Sequence, residues 1–129
     1  MSAYAFGKVV NMGYEQAIEA ITAALAKQGF GVLTEIDVAA TLKKKLDIDR
    51  APYRILGACN PQFAAKAIEM EPQIGALLPC NVIVRVDEAG RTVVEMMDPN
   101  AVLTLVDKPG IAAIATEVRT RLEAALAAV

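Results

Sequence analysis

Tyr53-Arg54-Ile55-Leu56-Gly57-Ala58-Cys59-Asn60-Pro61 decides how the rest of this chain is read. Tyr53 to Ala58 is apolar enough for a central strand, and Gly57 beside Ala58 leaves so little side-chain bulk that another segment can approach the backbone closely. The strand ends at Asn60-Pro61, because asparagine caps the free N–H groups of a helix and proline takes the first helical position, where no N–H is needed. A helix is therefore expected from Pro61 to about Glu71, with Ala64, Ala67, Ile68 and Met70 as its buried face. Glu71-Pro72 ends it, and Gln73 to Leu78 reads as an apolar connector. Pro79 opens a further strand, Cys80 to Val86, in which Val82, Val84 and Val86 alternate with Ile83 and Arg85.

Toward the N-terminus, Tyr4 to Val10 alternates as a first strand and Asn11-Met12-Gly13 turns the chain. Ala17, Ile18, Ile21 and Leu25 recur at helical spacing, so Tyr14 to Gln28 reads as an amphipathic helix closed by a left-handed Gly29. Phe30 to Ile36 is the second strand. Asp37 then caps a short helix through Leu46, with Lys43, Lys44 and Lys45 on a solvated face near its negative end. Asp47 to Pro52 is a loop. On the C-terminal side, Asp87-Glu88-Ala89-Gly90 turns a hairpin into Arg91 to Met97. Asp98-Pro99 begins a short helical or irregular segment, and Ile111, Ile114, Ala115, Val118, Leu122 and Ala125 mark the last helix. The resulting fold class is α+β: one mixed, largely antiparallel five-stranded sheet with three main helices packed on it, in a single domain spanning residues 1–129.

Composition narrows the functions. A chain of 129 residues that is 55% hydrophobic and 22% charged builds its own aliphatic core without a metal or disulfide. Its net charge of -2 offers no excess of cations for phosphates, so nucleic acid is not an expected partner. The N-terminus lacks the pattern of a signal peptide and no apolar run is long enough to span a membrane, which places the protein in the cytoplasm and its two cysteines as thiols. The chain has no histidine. That removes Ser-His-Asp and Cys-His catalysis and every metal site built on imidazole.

The candidate site lies where both cysteines are followed by asparagine, at Cys59-Asn60 and Cys80-Asn81. A thiolate at Cys59 would feel the positive end of the helix that starts at Pro61, which lowers a thiol pKa, and Asn60 with nearby backbone amides could hold developing negative charge. Glu35 and Arg54, charged residues of the second and third strands, complete the candidate binding set. The competing reading is structural: cysteine is often a small buried filler, Asn60 has its capping duty, and Glu35 and Asp37 serve as a surface group and a cap. Two sulfurs do not complete a tetrahedral zinc site, and Met70, Met96 and Met97 are soft donors that more often belong to a core. No metal is assigned and the cofactor is left open.

Taken together, Gly29-Phe30-Gly31-Val32-Leu33-Thr34-Glu35-Ile36-Asp37, Lys43-Lys44-Lys45-Leu46, Tyr53 through Pro61, Leu77-Leu78-Pro79-Cys80-Asn81-Val82 and Asp98-Pro99 resemble the domain-of-unknown-function family DUF 302 over nearly the whole chain. The resemblance implies a small bacterial or archaeal α+β domain that forms homodimers, and it brings no established activity and no catalytic residues. Two function classes follow. One is a homodimeric binding domain whose pocket near Cys59 and Cys80 takes a small ligand, a soft metal or a sulfur-bearing group. The other is a thiol redox enzyme or sulfur carrier in which Cys59 forms a covalent or persulfide intermediate. A dimeric interaction module without chemistry is the blander alternative. Binding is favoured, because no base accompanies the thiols.

Overall fold

The computed structural model describes residues 2–129. Among them are five strands, β1 (Ala5–Val10), β2 (Gly31–Asp37), β3 (Tyr53–Cys59), β4 (Cys80–Val86) and β5 (Thr92–Met97). They lie in the order β1-β5-β4-β3-β2, and each neighbouring pair is antiparallel. The helices are α1 (Tyr14–Lys27), α2 (Val38–Leu46), α3 (Pro61–Met70), α4 (Pro99–Val102) and α5 (Pro109–Ala127). The expected α+β arrangement is the one observed, with β3 interior between β2 and β4.

Strand alternation explains which side of the sheet the helices cover. The register sends Leu56, Ala58, Val82, Val84, Val94 and Met96 to one face, and all six are enclosed. Against them α1 presents Ala17, Ile21 and Leu25, and α5 presents Ile111, Ala115 and Leu122, at the three- and four-residue spacing of a helical stripe. Each fully buried Val, Leu or Ile contributes about 1.5–3 kcal/mol over its exposed state. Arg119 ties α5 to the far edge of the sheet, reaching Asp98 at 2.7 Å and lying 3.7 Å from the centre of the Phe6 ring. The opposite face carries Tyr53, Ile55, Ile83 and Val93, none of which belongs to the core cluster. Its middle is held by Arg85 Nε donating to Glu95 Oε1 at 2.7 Å.

The expected helix ends form as side-chain chemistry dictates. Asp37 Oδ1 accepts the Ala40 N–H at 2.9 Å, and Asn60 Oδ1 accepts the Phe63 N–H at 3.4 Å with Pro61 at the first position. Gly29 takes φ +84° after α1. The lysine triplet is exposed, and Lys43 pairs with Asp47 at 2.8 Å and Asp49 at 3.1 Å.

One reading is corrected. The buried face of α3 is not the one expected from Ile68 and Met70, which are 46% and 43% exposed; Ala67 is enclosed, and Phe63 and Ala64 turn toward the sheet end. The apolar connector expected from Gln73 to Leu78 is largely a 3-10 helix, Pro72–Leu77, whose Ile74 is buried and whose first turn is capped by Glu71.

The close approach expected at Gly57 is real. A Cβ there would lie 2.2 Å from Thr34 Oγ1 and 2.9 Å from Pro79 Cγ. Gly57→Ala should therefore lower stability by roughly 1–3 kcal/mol through overpacking, read as a drop in the urea midpoint at unchanged slope. An unshifted midpoint would show that Thr34 and Pro79 give way freely.

Candidate functional site

The candidate site is built where two strand ends meet two helices. β3 ends at Cys59, β4 begins at Cys80, and their antiparallel register pairs Ala58 with Cys80. Asn60 then turns the chain into α3, while α5 passes over the same end with Ile114 and Val118. These elements enclose a partly open pocket with a cavity of about 40 Å³, lined by Cys59, Asn60 and Cys80 together with Phe30, Phe63 and Leu78, and almost devoid of polar surface. Space of this size admits a few water-sized groups, but a water needs two or more polar partners, and these walls favour an apolar occupant.

The two thiols differ. Cys59 is half-buried, whereas Cys80 is 6% exposed. Burial pushes the Cys80 thiol up to about 11, and the nearby charge of Cys59 pushes in the same direction. Cys80 is thus a neutral wall at physiological pH. Neither aspartate, glutamate, lysine nor arginine lines the pocket, so no ordinary proton acceptor faces Cys59.

The other candidate residues lie elsewhere. Asn81 is exposed and points to the uncovered sheet face, where it sits opposite Gly57 and lines a shallow depression with Tyr53 and Ile83. Glu35 and Arg54 do come together, with Arg54 Nη1 donating to Glu35 Oε1 at 3.0 Å, but at the opposite end of β3 from Cys59. Asp37 at 3.3 Å and Glu15 at 3.6 Å complete the charge set around Arg54, and the Tyr14 ring lies 5.4 Å beneath the guanidinium. Burial raises the Tyr14 hydroxyl pKa, against the opposing charge of Arg54. This cluster joins the start of α1 and the end of β2 to β3. None of its members lines the cysteine pocket.

Nor do the methionines gather at the sulfurs: Met96 is in the core, and Met70, Met96 and Met97 are all absent from the pocket wall. Among the described residues, no three of His, Cys, Asp and Glu are grouped to hold a metal ion. The sequence reading passed over the walls contributed by Phe30, Phe63, Leu78, Ile114 and Val118. Phe63 carried the one local signal, an aromatic ring one turn after the Asn60 cap.

The family described as domain of unknown function DUF302 matches residues 6–129. The chain belongs to this family. Its fold is shared by a solved relative, the crystal structure of an uncharacterized conserved protein DUF302 from Bacillus stearothermophilus, at 30% identity and a TM-score of 0.91, with 98% of each chain covered. No curated protein matches this DUF302 chain. Among its described residues, no helix is long and apolar enough to cross a membrane.

The contrast between the thiols has two readouts. Iodoacetamide at mildly alkaline pH should modify Cys59 in the folded protein and spare Cys80. The unfolded Cys80 thiol ionises near 9.0 and the folded one near 11, so its contribution to stability is complete below pH 9 and lost as the pH rises through 11. The loss should amount to about 2–3 kcal/mol. The difference in urea stability between wild type and Cys80→Ala should narrow by that amount across this window, and a pH-independent difference would contradict the assignment.

Proposed function

We propose that this DUF302 domain is a binding module that takes a small apolar or sulfur-bearing molecule in the pocket at the Cys59 and Cys80 ends of β3 and β4. One observation carries the reading: two cysteines twenty-one positions apart in sequence, together with Asn60, converge on a single apolar cavity that is open on one side. Apolar concavities with few polar groups are the usual place for a small ligand, and one of about 40 Å³ limits that ligand to a few heavy atoms. The thiol-carrier alternative needs a group that takes the Cys59 proton, and the pocket wall supplies none.

Xenon under pressure probes such a cavity without specific chemistry. Saturable shifts of the Leu78, Ile114 and Val118 methyl signals are expected, and Ala64→Leu, which fills the cavity from α3, should abolish them. Unsaturable shifts throughout the protein would sink the proposal.

The same proposal includes a homodimer formed through the uncovered sheet face. Supporting it, Ile55 and Ile83 lie half-buried on that face, Ile36 and Val9 are each 48% exposed, and the central Arg85–Glu95 pair neutralises itself. Such a surface suits an isologous contact, in which one patch meets its own copy. Sedimentation at micromolar concentration should give a dimer for the wild type and a monomer for Ile83→Lys. A monomeric wild type would rule this assembly out.

A further inference from the structure

The uncovered sheet face has a fixed two-dimensional pattern. β4 is the middle strand, and Ile83 is the middle of its residues on that face, with Asn81 and Arg85 two positions to either side. The register sets Ile55 of β3 beside Ile83 on one flank and Glu95 of β5 on the other. Tyr53 and Val93 flank Arg85 in the same way. The row of Asn81 holds Gly57 and, two residues along β5 from Glu95, Met97. Among the described residues Arg85 donates to Glu95 through Nε alone, so its Nη groups and Glu95 Oε2 remain for a second bond.

A second copy has to cover nearly all of this face. Five strands about 4.8 Å apart and about 20 Å long present roughly 500 Å² of flat area, and a standard interface takes about 800 Å² of accessible surface from each partner. A contact at one margin falls short, so the two-fold axis passes close to Ile83. When two copies of a sheet meet face to face, that axis lies between them and parallel to both, which leaves its direction to be found. Along β4 it sets Arg85 over the partner's Arg85. Across the strands it sets Glu95 over the partner's Glu95. On the diagonal through Tyr53 and Met97 it buries Arg85 against the partner's Ile55. Like charges in contact and a buried charge facing an apolar group both oppose association. On the remaining diagonal, through Val93 and Gly57, Arg85 meets the partner's Glu95 and Glu95 meets the partner's Arg85.

We infer that the homodimer proposed above is built on this last diagonal, its two sheets crossing at about 90°, one of the two preferred angles for packed sheets. The inference rests on that homodimer and adds its geometry. Arg85 stands about 6.7 Å from Ile83 along β4 and Glu95 about 4.8 Å away across the strands, a mismatch of about 2 Å that a long guanidinium side chain takes up. Each Arg85 then holds its own Glu95 through Nε and the partner's Glu95 through Nη, so four charges alternate in sign around a ring. Met97 comes over the partner's Tyr53, a favourable contact of sulfur with an aromatic ring. Ile83 lies against the partner's Ile83 at the centre, where the residues that dominate binding gather.

The test exchanges the two charges. Arg85→Glu with Glu95→Arg in one chain keeps that chain's own ion pair, and a homodimer of such chains keeps both contacts across the axis, so it should form as tightly as the wild type. A mixed dimer would instead set carboxylate on carboxylate and guanidinium on guanidinium. Equal amounts of the exchanged protein and of isotope-labelled wild type are equilibrated and weighed intact by native mass spectrometry. Random exchange makes half of all dimers mixed, and the mixed share should fall at least about tenfold below that. An axis that set Arg85 or Glu95 on itself would favour the mixed dimer. A mixed share near or above half, or an exchanged protein that stays monomeric while the wild type pairs, would overturn the diagonal axis and leave a homodimer standing. Monomers alone from both proteins would overturn the homodimer as well.

Discussion

Between Cys59, still paired in the sheet, and Pro61, already helical, the chain has one residue in which to change direction. Asn60 must satisfy an orphan N–H of the new helix while lying buried among apolar groups, and its Oδ1 does so through Phe63. Ala58 is fixed against Cys80 by the strand pairing immediately before it. Those two constraints set where α3 begins and which way Phe63 faces. The pocket is what remains when an interior strand hands over to a helix this abruptly.

β3 consequently has two unlike ends. At Arg54 the environment is rich in charge, with three carboxylates within 3.6 Å of one guanidinium that is 18% exposed. At Cys59 it is aliphatic and aromatic. A few residues of strand separate a region where opposite charges hold elements together from one where exclusion of water does. The same exclusion makes Cys80 a poor acid and leaves dispersion and shape as the dominant forces on anything entering the cavity.

Much of this was legible in local chemistry. Asp37, Asn60 and Gly29 announce helix ends because their short side chains, or lack of one, have few other roles at those positions. Valine alternation announces β4 for the same kind of reason. The phase of α3 was not legible: Phe63, Ala64, Ala67, Ile68 and Met70 wrap most of the helix, so periodicity alone permits more than one buried face. Only the position of β4 and α5 decides it. Likewise the pocket walls come from Phe30 just before β2, from α3, from Leu78, and from Leu103 and α5, and no spacing rule links such distant positions. Separating Asn81 from Cys80 needed the strand pleat, which sends adjacent residues to opposite faces.

The pairing of β1 with β5 governs how the domain comes into being during synthesis. Ala5 waits for Met97 and Val10 for Thr92, so β1, made before the other strands of this sheet, is among the last to find its place. Until then the β5 edge stays open and Phe6 and Val10 have no sheet to cover. The inner hairpins can assemble while translation continues, but closing this long loop comes after most of the chain has emerged. While β1 waits it is exposed to wrong strand partners, and a chaperone that shields this strand would act where the topology leaves the polypeptide most vulnerable.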